Sequence, residues 1–126
     1  MLDTLQELCA LNGVSSTEDE VRDYIVDRIT PYAESITVDS IGNIIAVKKG
    51  AARPENSIML CAHMDEVGVI VTGITDDGYL RFSTVGIVDR RVLMGKRVFV
   101  GNGRIPGVIG NKAIHLVSPE IGRAHV

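Results

Sequence analysis

The chain has 126 residues, of which 45% are hydrophobic and 23% charged, a balance that is ordinary for one soluble globular domain and argues against a disordered chain. Its formal net charge of −3 and its lack of a dense lysine and arginine block give no reason to expect nucleic acid as a partner. The apolar runs are far shorter than the roughly 20 residues that cross a bilayer, and the start of the chain lacks the basic residues of a signal peptide. We therefore expect a cytoplasmic protein with no membrane partner.

Two helices are predicted at the start of the chain. Apolar residues recur at helical spacing over residues 2–12, which indicates a short amphipathic helix. A second helix should begin in the acidic stretch that follows, where Thr17 and Glu20 have the spacing of a capping box. Pro31 should end or kink this helix, because it pushes the residue before it away from helical geometry.

Beyond the helices the pattern changes to that of strands. Ile36–Asp39 and Ile44–Val47 are predicted to pair as a hairpin, with Gly42 able to adopt the positive φ of a tight turn. The apolar run Ser57–Ala62 predicts a buried strand that ends at His63. Two further hairpins are predicted in the rest of the chain, Val69–Ile74 with Tyr79–Ser83 and Lys96–Val100 with Ile105–Ile109.

Together these elements predict an α/β fold in which two helices precede a sheet and the sheet leads into a small all-β unit. The strand and turn pattern that marks the start of this unit begins near Gly73. No internal repeat or low-complexity tract interrupts the pattern.

His63 and Asp65 are the candidate functional residues. They lie two positions apart, so on a strand both point to the same face, at the carboxyl end where open α/β sheets bind their ligands. A divalent metal ion favours an imidazole nitrogen, and a carboxylate beside the histidine orients the ring and makes it more basic. By itself the spacing is more often a solvated strand end than a metal site. Glu66 could be a third ligand, but alternation turns it to the other face, which favours a structural salt bridge.

The segment Cys61–Gly68 resembles the metal-binding signature of the glutamyl aminopeptidase and tetrahedral aminopeptidase family, dinuclear metallo-aminopeptidases of which some carry the name endoglucanase. The likeness covers about residues 1–120, and the combined order of its segments is more specific than any one motif. Four further segments follow the order of the family: Leu11–Ser15, Asp39–Asn43, Arg91–Val98 and Gly107–Lys112.

The resemblance implies a catalytic domain that is interrupted after its first metal ligand by a small β domain used in assembly. Residues 1–72 would then be the amino-terminal part of the catalytic domain, and residues 73–120 part of the inserted dimerisation domain. His63 would bind one of two divalent ions, zinc or cobalt, and Asp65 would be the catalytic-site carboxylate that holds its imidazole. The family's remaining ligands and its glutamate base lie beyond this chain, which would therefore hold at most one partial metal site.

The function implied is that of an amino-terminal fragment of a two-metal aminopeptidase, which removes the amino-terminal residues of peptides with a metal-activated water. Peptide is the expected substrate, a homo-oligomer is the expected state of the full-length protein, and the fragment alone should be inactive. Two alternatives stay open: a non-catalytic self-association module, and a related dinuclear exopeptidase or deacylase.

Residues 121–126 do not follow the family pattern. Our hypothesis is that they translate a sequencing adapter read in frame and are not native, so that they should be left out of reasoning about the fold. Independent clones with an open frame that ends naturally at Val126 would contradict it.

Overall fold

The computed structural model describes residues 1–52 and 56–110, and the chain divides into two compact units between Val88 and Asp89. The first unit contains helices α1 (Leu2–Cys9) and α2 (Asp19–Ile29), a 3₁₀ turn (Thr30–Tyr32), and strands β1 (Ser35–Val38), β2 (Ile44–Val47), β3 (Gly68–Ile74) and β4 (Leu80–Val85). The second contains a 3₁₀ turn (Arg90–Val92) and strands β5 (Arg97–Val100) and β6 (Ile105–Val108). Within the described ranges, no helix is long and apolar enough to span a membrane.

Helix α2 begins in the acidic stretch, as predicted, but the predicted capping box is wrong. Thr17 Oγ1 donates to the carbonyl of Val14 at 2.8 Å instead of binding the helix amides. The Glu20 carboxylate accepts from the backbone N–H of Asn12 at 3.0 Å and from its side-chain amide at 2.8 Å. The loop that precedes α2 turns back on the helix, so its own polar groups compete successfully for both side chains.

Helices α1 and α2 are tied together by a polar contact on their facing sides. Glu7 of α1 accepts hydrogen bonds from the Tyr24 hydroxyl and the Arg28 guanidinium, which are four residues apart on α2. The tyrosine hydrogen bond is the main cause that lowers the pKa of Glu7, and Arg28 acts in the same direction. The helix predicted over residues 2–12 is present but shorter, because α1 ends at Cys9.

The described strands form three antiparallel pairs, β1 with β2, β3 with β4 and β5 with β6, which are the three hairpins that the sequence predicts. The first turn depends on Asp39, whose carboxylate accepts from the backbone N–H groups of Ile41 and Asn43 at 3.0 and 2.9 Å. Gly42 has φ +91° there, in the region that side chains with a Cβ rarely adopt.

The predicted buried strand over Ser57–Ala62 is wrong. These residues belong to no strand of the described structure, and the side chains of Ile58, Met59 and Leu60 are 90%, 84% and 92% exposed. A buried strand needs neighbours for its backbone groups and an apolar cover for its side chains, and the described residues supply neither. The hydrophobic run is therefore present without the sheet that would bury it.

Two helices and small antiparallel sheets are consistent with part of an α/β domain. Of the described apolar side chains, only Val21 and Ile109 are buried, each in a different unit. Strand β3 runs across the predicted domain boundary after residue 72, and that boundary stays a prediction. Residues 111–126, which include the proposed non-native tail, lie outside the described residues.

Candidate metal-binding site

His63 lies just after the exposed apolar run, and its ring faces Asp65. Its Nδ1 atom is 3.1 Å from Asp65 Oδ1 and 3.0 Å from the backbone carbonyl oxygen of Asp65. The His63 side chain is 85% exposed, whereas that of Asp65 is 43% exposed. The two residues predicted from the sequence to act together are therefore in contact, but they do not follow a strand.

The two contacts of His63 determine which ring nitrogen carries the proton. A carbonyl oxygen and an ionised carboxylate oxygen can only accept hydrogen bonds, so Nδ1 is the donor to both. In a neutral imidazole the other nitrogen, Nε2, then holds the lone pair. A metal ion binds through such a lone pair, and a carboxylate on the opposite nitrogen is the usual partner of a metal-bound histidine.

The second oxygen of Asp65 is held from the amino-terminal part of the chain. Ser15 Oγ donates to Asp65 Oδ2 at 2.5 Å, across a separation of 50 residues. The serine hydrogen bond is the main cause that lowers the pKa of Asp65, and the contact with His63 adds to it. Both influences stabilise the ionised carboxylate, which is the form that accepts from the imidazole.

The loop that carries Ser15 is fixed against the segment that follows Asp65. The backbone N–H of Glu66 donates to the carbonyl of Gly13 at 2.6 Å, and Val14 forms an isolated parallel bridge with Glu66. The Val14 side chain lies over Gly68, where an added Cβ would come within 2.5 Å of it. Close packing and backbone hydrogen bonding together set the position of Ser15.

Glu66 does not form the predicted salt bridge within the described structure. Its side-chain Oε1 instead accepts from the backbone N–H of Gly13 at 3.4 Å, next to the 2.6 Å bond made by its own N–H. The carboxylate faces a backbone N–H of the Gly13 loop, 53 residues earlier in the chain, and sequence spacing does not reveal that contact. Glu66 thus contributes to the junction with the Gly13 loop.

The described residues fit a divalent metal ion as one ligand and its supporting carboxylate. His63 offers Nε2 with its tautomer set by Asp65, which is the arrangement expected of a ligand. Within residues 1–52 and 56–110, however, no group of three or more histidine, cysteine, aspartate or glutamate side chains could hold a metal ion. A zinc site needs at least three protein ligands, so this part of the chain does not complete one.

Ser15 is the site residue that the sequence did not single out. Nothing in its immediate neighbourhood indicates a partner 50 residues away, and a serine before an acidic helix start suggests a cap. Its place within Leu11–Ser15, one of the segments that follow the family order, is the only available signal.

Comparison with known proteins supports the family resemblance found in the sequence. Residues 42–125 match the family model described as M42 glutamyl aminopeptidase. A lysyl aminopeptidase of Pyrococcus furiosus is 37% identical over 107 residues, which cover 82% of this chain and 30% of that protein. The chain spans about a third of the length of the curated relatives that it matches.

Solved structures of full-length relatives share this fold. The TET aminopeptidase of a marine sediment archaeon, a Thaumarchaeota archaeon, superposes with a TM-score of 0.83 at 34% identity, over 99% of this chain and 35% of that one. TET1 peptidase of Pyrococcus horikoshii, described as able to assemble into a tetrahedron or a large octahedral shell, gives 0.74 at 38% identity, over 94% and 35%. The chain belongs to the M42 glutamyl aminopeptidase family.

Proposed function

We propose that this chain is the amino-terminal part of a cytoplasmic, two-metal aminopeptidase that removes amino-terminal residues from peptides. Family membership supports the reaction class. The chain spans about a third of the length of its relatives, which supports the view that it is one part of the enzyme. The single observation that carries the site assignment is the pairing of His63 Nδ1 with the Asp65 carboxylate. On this view the chain alone is inactive.

His63 is the proposed ligand of one zinc or cobalt ion, through Nε2. Asp65 is the proposed supporting carboxylate, which keeps the proton on Nδ1 and sets the plane of the ring. Two divalent ions held there would supply Lewis acidity, which polarises the scissile carbonyl and lowers the pKa of water so that hydroxide is available as the nucleophile. We propose that the other ligands and the general base are supplied by residues outside the described part of the chain, which forms no complete donor set.

The proposed organisation follows from the same assignment. Residues 1–72 would belong to the catalytic domain, residues 73–120 to an inserted β domain, and residues 121–126 would be non-native. We propose a homo-oligomer as the state of the full-length enzyme. The assemblies described for the TET1 relative, together with exposed apolar side chains on the β5–β6 hairpin, support it.

An aminopeptidase assay of the full-length gene product tests the proposal. With zinc or cobalt added, the wild-type protein should release amino-terminal residues from peptides, and His63→Ala should lower kcat/KM more than 100-fold, beyond the roughly 10- to 100-fold expected when only a supporting residue is lost. His115→Ala is a matched control that should leave activity within about 2-fold, because the proposal gives His115 no role. A fully active His63→Ala enzyme would refute the assignment.

A non-catalytic self-association module is the second candidate, and one observation favours it. Phe99, Ile105 and Val108 of the β5–β6 hairpin are 66%, 66% and 69% exposed, and together they offer an apolar surface that a second copy could cover. The same assay separates the two functions, since a module has no aminopeptidase activity at any metal concentration. Substrate profiling would separate an aminopeptidase from a related exopeptidase or deacylase.

A further inference from the structure

We propose that Ser15 is a positioning residue for His63, acting through Asp65, an inference that rests on the proposed role of His63 as a metal ligand. The three side chains form a continuous series of hydrogen bonds. Ser15 Oγ is 2.5 Å from Asp65 Oδ2, and Asp65 Oδ1 is 3.1 Å from His63 Nδ1. Each carboxylate oxygen thus has a different partner.

The two contacts of Asp65 together fix its carboxylate more closely than either would alone. A carboxylate held through one oxygen can still rotate about its last side-chain bond, and an imidazole that follows it would rotate as well. With Oδ2 bound to Ser15, Oδ1 stays directed at Nδ1, and the ring keeps one tautomer and one orientation. Ser15 therefore reaches the metal ligand without touching it.

The direction of the serine hydrogen bond is unambiguous. An ionised carboxylate only accepts, so the Ser15 hydroxyl must donate to Asp65. A hydrogen bond of this kind, between a hydroxyl and a charged acceptor, is short and stronger than one between neutral groups. Removal of the hydroxyl would leave Oδ2 without this donor and free the carboxylate to turn away from the ring.

A purely structural role for Ser15 would be to tie its loop to the segment after Asp65. That task is already done by other groups: Glu66 N–H donates to Gly13 at 2.6 Å, and Val14 packs over Gly68. Thr17 adds a backbone hydrogen bond of 2.8 Å to the Val14 carbonyl. These contacts do not involve the Ser15 side chain, so the loop should keep its place when the hydroxyl is removed.

The test uses the full-length gene product and five variants. Ser15→Ala removes the hydroxyl, Ser15→Thr keeps it, and Ser15→Cys replaces it with a weak donor. Ser16→Ala is the matched control, because Ser16 is the next residue and its side chain is exposed. His63→Ala identifies the signals of His63 and tests the proposed function separately.

The first measurement is the tautomer of His63 in the metal-free protein, from nitrogen NMR of ¹⁵N-histidine-labelled samples. We expect the Nδ1–H form to predominate in the wild type, in Ser15→Thr and in Ser16→Ala. In Ser15→Ala the Nε2–H fraction should rise, because the backbone carbonyl of Asp65, 3.0 Å from Nδ1, is then the one acceptor that still keeps its place beside the ring. The second measurement is the affinity for Co²⁺, from its visible absorption, which should fall about 10-fold in Ser15→Ala and recover in Ser15→Thr. Ser15→Cys should fall between the two, and it replaces Ser15→Ala if that variant does not fold.

A wild-type tautomer ratio and Co²⁺ affinity in Ser15→Ala, or in Ser15→Cys if it replaces that variant, would overturn the positioning role. An equal loss in Ser15→Ala and Ser15→Thr would do the same, because the hydroxyl would then not be the group that matters. If His63→Ala binds Co²⁺ as tightly as the wild type, the proposed function fails. If His63→Ala alone loses affinity, the proposed function stands and only the role of Ser15 is refuted.

Discussion

The two sides of His63 differ sharply in how the chain holds them. On the carboxyl side, the loop of residues 13–15 holds the chain by three kinds of contact. Glu66 forms a backbone hydrogen bond with Gly13, Ser15 donates a 2.5 Å side-chain hydrogen bond to Asp65, and Val14 packs over Gly68. On the amino side, residues 57–62 have no strand partner in the described structure, and Leu60 is 92% exposed.

This difference separates the parts of a site that one segment can supply from those that it cannot. The orientation of one imidazole needs only a nearby carboxylate and a donor to hold it, and residues 1–68 contain both. The burial of a strand needs neighbours on both sides and a layer above it. Changes on the uncovered side should therefore have the largest effects, and changes on the side that the loop holds should have smaller ones.

The largest effect is expected on the uncovered apolar run. The isolated 126-residue chain should self-associate at micromolar concentration, because burying Ile58 and Leu60 between copies is worth about 1.5–3 kcal/mol for each side chain. The double substitution Ile58→Lys and Leu60→Lys should markedly reduce the size of the assemblies in sedimentation experiments.

The control for this prediction is the pair Ile41→Lys and Ile87→Lys. It adds the same charge at apolar side chains that are 83% and 100% exposed and stand apart from the run. If the control pair reduces self-association as much as the test pair does, the added charge causes the effect and the loss of the apolar run does not. A wild-type chain that stays monomeric would contradict the prediction outright.

A second prediction concerns the carboxylate beside His63. Asp65→Asn in the full-length protein keeps the shape of the side chain but removes its charge, and its amide no longer fixes the tautomer of the ring. We expect the affinity for zinc to fall about 10- to 100-fold in a competition titration with a chelator. Asp76→Asn, in the turn of the β3–β4 hairpin, is the control and should bind zinc as the wild type does.

A third prediction concerns the packing that places Ser15. Gly68→Ala would put a Cβ 2.5 Å from Val14 Cγ2 and force the loop away from β3, which should cost about 1–3 kcal/mol of unfolding free energy. Gly73→Ala lies on the same strand, and nothing stands within 4 Å of its added Cβ. Chemical denaturation of the two full-length variants should therefore separate them, and equal stability would refute the packing argument.

The smallest effect is expected at the β1–β2 turn. Hydrogen bonds from Asn43 and Ile41 lower the pKa of Asp39, so its contribution to stability is present above the ordinary aspartate pKa of about 3.9 and is lost as the pH falls through the lowered value. Asp39→Ala should be less stable at neutral pH and should lose less stability on acidification. Melting temperatures between pH 7 and pH 2 measure both, and parallel curves would contradict the assignment.

The sequence predicted best what depends on neighbouring residues. The hairpin turns at Gly42 and Gly78 need a residue that adopts positive φ, and glycine in a turn sequence indicates this. The contact between His63 and Asp65 needs a spacing of two residues, which can also be read from a short stretch of sequence. The predicted strand over residues 57–62 failed because an apolar run shows that burial is needed but not whether a partner is present. Ser15 was missed because its contact with Asp65 spans 50 residues, and only the fold brings them together.

The metal content of the full-length protein tests the central claim most directly. After reconstitution with zinc and removal of the excess, the wild-type protein should hold two zinc ions per protomer by elemental analysis, in line with a two-metal site. His63→Ala should hold one, because it loses one imidazole ligand while the ligands of the other ion stay. Two tightly bound ions in His63→Ala would contradict the claim that His63 is a metal ligand.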